Sequence, residues 1–388
     1  MRRFLFVIHY PVFGGPHNQA LSLAGPLRTR GWETLVLLPD EPGNAAERLR
    51  AGGVETLTLP LGRLRASRSL RPHVRLARSF RSDVDRIESL IRSRDIELVV
   101  VGGLHNPHGA FAARRTGSAI VWQLIDASSP MSLRRLAMPL VVRLADVVMT
   151  CGNVAAVHPG AMGLGERLVP FPPPVDVHQF VRDPERRAAA REELGLQGED
   201  LVIGNVSNFS REKDHLTFVR AAAVVHRDRP SVRFVILGAQ YPHRTSYVEN
   251  LLREAKSRGL PADSLTLRDP GGRVAELAPA FDVFWLTSTS ESGPAVVGEA
   301  MALGLPVVAT DVGIVRTALA GGAGSVVPTR DPAALALATM PYLDDEGVRE
   351  SAGRAGRLRA PELFSVERCA DAHVLAFERA LEHAATRR

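Results

Sequence analysis

The sequence predicts an α/β protein of two doubly wound parallel-sheet domains facing each other across a cleft. Three observations predict it. Short apolar, β-branched runs alternate with segments of helical period, the pattern of βαβ units that bury a parallel sheet on both faces. The alternation breaks near residue 170 at "VPFPPPVD" and then restarts. The 388 residues exceed one ordinary domain and suit two.

The first half opens with the strand-sized run "FLFVI" (4–8), the glycine loop "FGGPHNQ", and an apolar-periodic helix from about Asn18 to Arg30. "ETLVLLP" (33–39), "VETLTLP" (54–60), "IELVVVG" (96–102) and "SAIVWQL" (118–124) follow as buried strands, with helical segments between most of them. The prolines at 170 and 172–174 suit neither a helix nor a central strand, so this stretch is expected to be a stiff extended connector. Beyond it, "LVIGNVS" (201–207), "VRFVILG" (232–238), "SLTLRD" (264–269), "DVFWLTS" (282–288) and "PVVATD" (306–311) alternate with helices. The expected boundaries are 1–172, 173–365 and a last helix over 366–388. Open α/β sheets bind ligands beyond the carboxyl ends of their strands, where the loops at 14–15 and 207–213 fall.

Composition excludes several classes. The chain is 45% hydrophobic and 23% charged, as in a globular protein. No apolar run approaches the ~20 residues of a membrane helix. Arginines precede Phe4, but the apolar run ends at His9, too short for a secretory leader. The two cysteines, Cys151 and Cys369, have no metal-like spacing and suit a reducing compartment, so a cytoplasmic location is expected.

The most informative stretch is "SESGPAVVGEAMALGLPVVATDVG" (290–313). Glu291 follows a strand, Pro294 suits the first turn of a helix, and Gly304 is a natural stop. The free N–H groups near 294–297 would form an anion cradle. Glu299 lies one turn in, so two acceptor-only carboxylates flank the cradle. That pattern fits a ligand with a central phosphate and hydroxyls at both ends, such as a nucleotide-sugar. The two glutamates would equally suit a helix start and a helix surface. Lys213, one of only two lysines, opens another helix at the same edge in "NVSNFSREKDHLTFVRA". Its compact ammonium is a good partner for a phosphate, or else a solvated helix-start charge.

Together these segments resemble the family 4 retaining glycosyltransferases of the GT-B fold, with its two Rossmann-like domains. The resemblance runs through the glycines at 14–15, "KDHLTFVRA", the Glu291-x7-Glu299 pattern with "EAMALGLPVVATD", and "GSVVPTRDPAALA". It implies an N-terminal acceptor-binding domain, a C-terminal nucleotide-sugar domain, and a last helix crossing back to the first. It implies that Glu299 holds the ribose hydroxyls and Glu291 the donor sugar, with Pro294 and the amides of Ala295 and Val296 near sugar and phosphate. Lys213 would bind the diphosphate, and Gly14 and Gly15 would let the backbone approach the phosphates. A UDP-sugar is the expected donor, and a lipid-linked, glycan or small-molecule hydroxyl the expected acceptor. Transfer would proceed by front-face substitution, with the leaving diphosphate oxygen taking the acceptor's proton. No Asp-x-Asp motif stands at a suitable strand end, and neither metal nor cofactor is expected.

Two departures stand out. Relatives carry a second diphosphate cation where this chain has Asn208, and Arg211 is near enough in sequence to replace it. Relatives carry a histidine where this chain has Ile125, before Asp126. Asp126, His105 and His108 are the candidates for its role, although both histidines would also serve as ordinary loop residues. The same departures suit a degenerate relative that binds a nucleotide-sugar without turnover.

Net charge is +6 and uneven: residues 1–176 hold 22 basic against 14 acidic residues, and the remainder 26 against 28. Ten arginines fall within 62–94. From Pro72 on, Leu76, Phe80, Val84, Ile87 and Ile91 line one helical stripe, and Arg75, Arg78, Arg81, Arg86 and Arg92 the opposite face. That face is either solvated surface or a patch for anionic lipid headgroups at the inner face of the plasma membrane, or for a lipid-diphosphate acceptor. No aromatic interleaving favours nucleic acid, and none is expected as a partner.

Overall fold

The computed structural model describes residues 1–62, 71–125, 129–152, 157–196, 200–239 and 245–387, with the side chains at 71–73, 75 and 245 left out. The chain forms two compact units. One comprises Met1–Pro174 with Val366–Arg388, the other Val175–Ser365.

In the first unit, strands β1 (Arg2–Val7), β2 (Trp32–Pro39), β3 (Glu55–Leu59), β4 (Leu98–Gly102), β5 (Ala119–Leu124), β6 (Val147–Cys151) and β7 (Leu168–Phe171) form one sheet. Their order is β3-β2-β1-β4-β5-β6-β7, and every pair is parallel. Alternate residues of β1 point to opposite faces. Phe4 and Phe6 pack with α1 (Gly15–Thr29), α2 (Ala45–Ala51) and the last helix, Val366–Thr386. Leu5 and Val7 pack with α3 (Arg71–Ser93), α4 (His108–Thr116) and α5 (Met131–Leu144).

The last helix lies against β5, β6, β7 and α1. His373 fastens it: its Nδ1 donates to Cys369 O, which leaves Nε2 to accept from Gln19 and Gln123.

Three local readings change. α1 starts at Gly15 rather than Asn18, because Pro16 sits in its first turn and His17 Nδ1 accepts from the Gly14 N–H. The proline-rich stretch is not all connector. Its start, Val169 to Phe171, belongs to β7, an edge strand, where a missing proline N–H leaves no ladder bond unmade. The short strands β6 and β7 add to the five read from sequence.

The second unit has β8 (Val202–Val206), β9 (Arg233–Leu237), β10 (Leu265–Arg268), β11 (Val283–Leu286), β12 (Val307–Thr310) and β13 (Gly324–Val327), in parallel order β10-β9-β8-β11-β12-β13. Around it run α6 (Pro184–Glu193), α7 (His215–Asp228), α8 (Thr245–Ser257), α9 (Ala295–Ala302), α10 (Pro332–Asp344) and α11 (Glu346–Phe364); the chain's last helix is α12. The connection order reverses between β8 and β11, which makes that pair the switch point.

Candidate functional site

Asn205 Nδ2 donates to Trp285 O at 2.8 Å, tying β8 to β11 at the switch point. The loops that leave these strands are tied as well. Thr287 Oγ1 donates to Lys213 O at 2.8 Å, and Thr289 N–H to Glu212 O at 2.8 Å. Lys213 ends a short 3-10 turn, Arg211–Lys213, and Asp214 follows with φ +46°. Aspartate tolerates that left-handed conformation better than most residues. Its carboxylate then caps α7 by accepting from Thr217 N–H and Oγ1.

These ties bring Lys213 onto Glu291. The ammonium donates to Glu291 Oε1 at 2.5 Å, and Ser288 Oγ donates to the same oxygen at 2.8 Å. The loop behind them is held from β12. Thr310 Oγ1 donates to Ser288 O at 2.6 Å. Gly313, at φ +53°, lies so close that a Cβ would stand 2.2 Å from Ser292 O.

Pro294 is the N-cap of α9 with φ −71° and ψ 99°, one place earlier than the first turn expected. A helix leaves its first N–H groups without intrahelical acceptors, and here these belong to Ala295 and Val296. Glu299 follows one turn later. Burial pushes its carboxyl up to about 7. Among the described residues the Glu299 carboxyl has no hydrogen-bond or ion-pair partner, unlike that of Glu291. Gly298 beside it admits the Phe364 ring, whose Cγ would lie 2.5 Å from an added Cβ. Lys213, Glu291, Ala295, Val296 and Glu299 therefore gather on the carboxyl edge of β8 and β11. Asn208 is exposed in the loop after β8, and Arg211 is exposed two residues before Lys213.

In the first unit the switch point lies between β1 and β4. Gly14 has extended backbone at φ −162°, and a Cβ at Gly15 would meet nothing within 4 Å. Neither position requires glycine for its conformation. His105, after β4, stacks on His9, after β1, with centroids 4.8 Å apart. His9 was not singled out in the sequence; only its place at the end of β1 could have marked it.

His108 is corrected. It is a core residue, fully buried beside Phe80 and 3.9 Å from Asp83, and burial lowers its pKa to about 4. Ile125 packs partly buried against the core, and Asp126 lies outside the described residues.

A family model described as "Glycosyl transferases group 1" matches residues 186–359. The GDP-mannose-dependent alpha-(1-6)-phosphatidylinositol monomannoside mannosyltransferase of Mycolicibacterium smegmatis is 30% identical over 296 residues, 70% of this chain and 74% of that protein. The D-inositol 3-phosphate glycosyltransferase of Streptomyces avermitilis is 32% identical over 228 residues, 57% of this chain and 46% of that protein. The match spans about half the length of such relatives. Among solved structures, Anabaena HepE with UDP and glucose superposes with a TM-score of 0.80 at 21% identity, covering 96% of this chain and 98% of that one. The sucrose-phosphate synthase of Thermosynechococcus elongatus gives 0.78 at 18%, covering 97% and 98%. The two parallel-sheet units have the GT-B fold.

Proposed function

The chain belongs to the glycosyl transferases group 1 family, and on that premise we propose that it moves a sugar from a nucleotide-sugar to a hydroxyl acceptor with retention of configuration. One observation carries the reading. Lys213, Glu291, the amides of Ala295 and Val296, and Glu299 share one sheet edge, flanking β8 and β11.

In the proposed reaction the bond from the anomeric carbon to the β-phosphate oxygen breaks. The acceptor oxygen bonds to the same face, and its proton passes to the leaving phosphate. The protein's task is to meet charge growing on that phosphate. Lys213 and the α9 amides supply the positive end, Glu299 accepts from the ribose hydroxyls, and Glu291 accepts from the sugar. Arg211 stands in for the cation replaced by Asn208. No resident metal is assigned to any step.

UDP leads the donor proposal because HepE structures hold UDP and UDP-glucose. GDP stands beside it because the Mycolicibacterium relative is GDP-mannose-dependent. Acceptors of glycolipid, glycan or small-molecule type, in cell-surface polysaccharide, glycolipid or glycoside synthesis, follow the same logic. Among the described residues no helix is long and apolar enough to cross a membrane. We place any membrane contact on the α3 face with exposed Arg78 and Arg81; the Arg75 side chain lies outside the described residues.

The test is a thermal-shift screen of UDP, GDP, ADP and dTDP, followed by hydrolysis of the matching sugar nucleotides. A ligand that binds only the native state raises its apparent stability. No shift with any diphosphate would refute the donor site. Ile125 and Asn208 favour one rival, a binder without turnover, which would show the shift and no hydrolysis.

A further inference from the structure

A chain of buried polar groups runs from the switch point to the surface behind Lys213. Asn205 is 1% exposed, and its Nδ2 is spent on Trp285 O, so its Oδ1 faces Ser207. Ser207 Oγ therefore donates to Asn205 Oδ1 at 2.6 Å. Its lone pair accepts from His215 Nε2 at 2.9 Å. His215 Nδ1 is then the unprotonated nitrogen, and it accepts from the Tyr247 hydroxyl at 3.3 Å. The same hydroxyl oxygen accepts from the His215 backbone N–H at 3.3 Å. Every proton in the chain has one consistent place.

His215 is fully buried, between Phe209 and Tyr247. It opens α7 two residues after Lys213, so Tyr247 closes one of the first N–H groups of that helix. The Lys213 turn itself is only three residues long and is followed by the left-handed Asp214. Its own backbone supplies two hydrogen bonds, Lys213 N–H to Ser210 O and Asp214 N–H to Arg211 O, both at 3.2 Å. Thr287 and Thr289 hold it from the loop after β11, and the His215–Tyr247 pair holds it from α8.

We infer that Tyr247 and His215 are positioning residues that aim the Lys213 ammonium at the diphosphate, acting through the start of α7 rather than by touching the ligand. The inference rests on the donor-site reading above and deepens it. Two further facts support it. Burial lowers His215 to about 3 and raises Tyr247 to about 12, so both stay neutral and the chain keeps one hydrogen-bond pattern across ordinary working pH. Tyr247 also borders an open pocket with Ser210, Arg211, Asn250 and Arg253, so its hydroxyl can be deleted at the margin of the core.

The experiment compares UDP with uridine, and GDP with guanosine, by calorimetry on the full chain. An aimed ammonium is read only by the diphosphate. Tyr247→Phe keeps the ring and should lower the preference for diphosphate over nucleoside about tenfold, the scale of one buried acceptor losing its donor. Nucleoside affinity should not move. Lys213→Ala should lower the same preference at least as far, and the double variant should lose no more than Lys213→Ala alone, because the two act as one unit. Ser207→Ala, on the other side of His215, gives a second reading if Tyr247→Phe does not fold. A lower melting temperature with an unchanged preference would overturn the inference, as would losses that multiply in the double variant. Should Lys213→Ala itself keep the wild-type preference, the donor-site reading falls, and this inference with it.

Discussion

Lys213 and Glu291 hold each other across the switch point of the second sheet, ammonium to carboxylate at 2.5 Å, although 78 residues separate them. The pair is partly buried, with side chains 28% and 14% exposed. A diphosphate arriving at Lys213 competes with this carboxylate, so the two residues respond differently to removal. Lys213→Ala should cut both diphosphate affinity and transfer. Glu291→Ala should cut transfer by about 10²-fold or more, the range for one well-placed electrostatic group. Its UDP affinity should not fall, because the ammonium is freed. Weaker UDP binding in Glu291→Ala, measured by calorimetry, would contradict the competition.

Glu299 should make both stability and binding depend on pH. Its folded pKa of about 7 lies above the ordinary value of 4.5, so folding favours the neutral form. Its contribution to stability is fully present below about 4.5 and is lost as pH rises through about 7. Glu299→Gln, always neutral, should match the wild type at about pH 4 and melt higher at pH 8. Equal melting curves at pH 8 would contradict this.

Binding runs the other way. Accepting from ribose hydroxyls requires the carboxylate, so wild-type nucleoside affinity should fall as pH drops below about 7. Glu299→Gln should flatten that dependence and weaken binding by ~1–3 kcal/mol. A titration series from pH 5.5 to 8.5 reads both.

Gly313→Ala tests the support behind Glu291. Its Cβ would stand 2.2 Å from Ser292 O, and its φ of +53° is unfavourable for alanine. Transfer should drop at least tenfold through displacement of Glu291, while α12 and the first sheet are untouched. Wild-type rates in that variant would show that the loop tolerates the shift.

Metal removal should change nothing. The proposed reaction uses an ammonium and helix amides at the β-phosphate, so donor hydrolysis in EDTA should equal that in magnesium. A loss in EDTA, restored by a divalent cation, would contradict the assignment.

The arginine face of α3 is tested with vesicles. Each basic residue near an anionic surface contributes about 1 kcal/mol within a Debye length. Anionic vesicles should bind the protein at low salt, neutral ones should not, and salt should release it. Replacing Arg75, Arg78 and Arg81 by Gln should abolish binding and leave UDP affinity unchanged. A wild type that ignores anionic vesicles makes this face solvated surface.

Much of the candidate site was legible in sequence. Lys213 and Glu291 lie in loops that follow strands, and Glu299 lies one turn into a helix; these signals are local. The ion pair was not legible, because it depends on how the β8 and β11 loops are tied by Thr287 and Thr289. Pro170 misled because proline excludes a central strand but not an edge, and edge position is a property of the whole sheet. His108 looked like a loop residue because its burial under α3 comes from residues far from "HNPH" in the chain. Glu299 gave no hint of its raised pKa, since desolvation follows from packing rather than from neighbours in sequence.

The first unit is interrupted: residues 175–365 are spliced into it between β7 and α12. Cys369, Ala370, Ala376, Phe377 and Ala380 complete one face of its core. During synthesis from the N-terminus, that face waits uncovered until α12 leaves the ribosome, while the inserted unit already has every residue it needs. The later unit therefore matures first. Premature termination before Val366 would strand the earlier one with its apolar face bare to aggregation, even though its own seven strands were made long before.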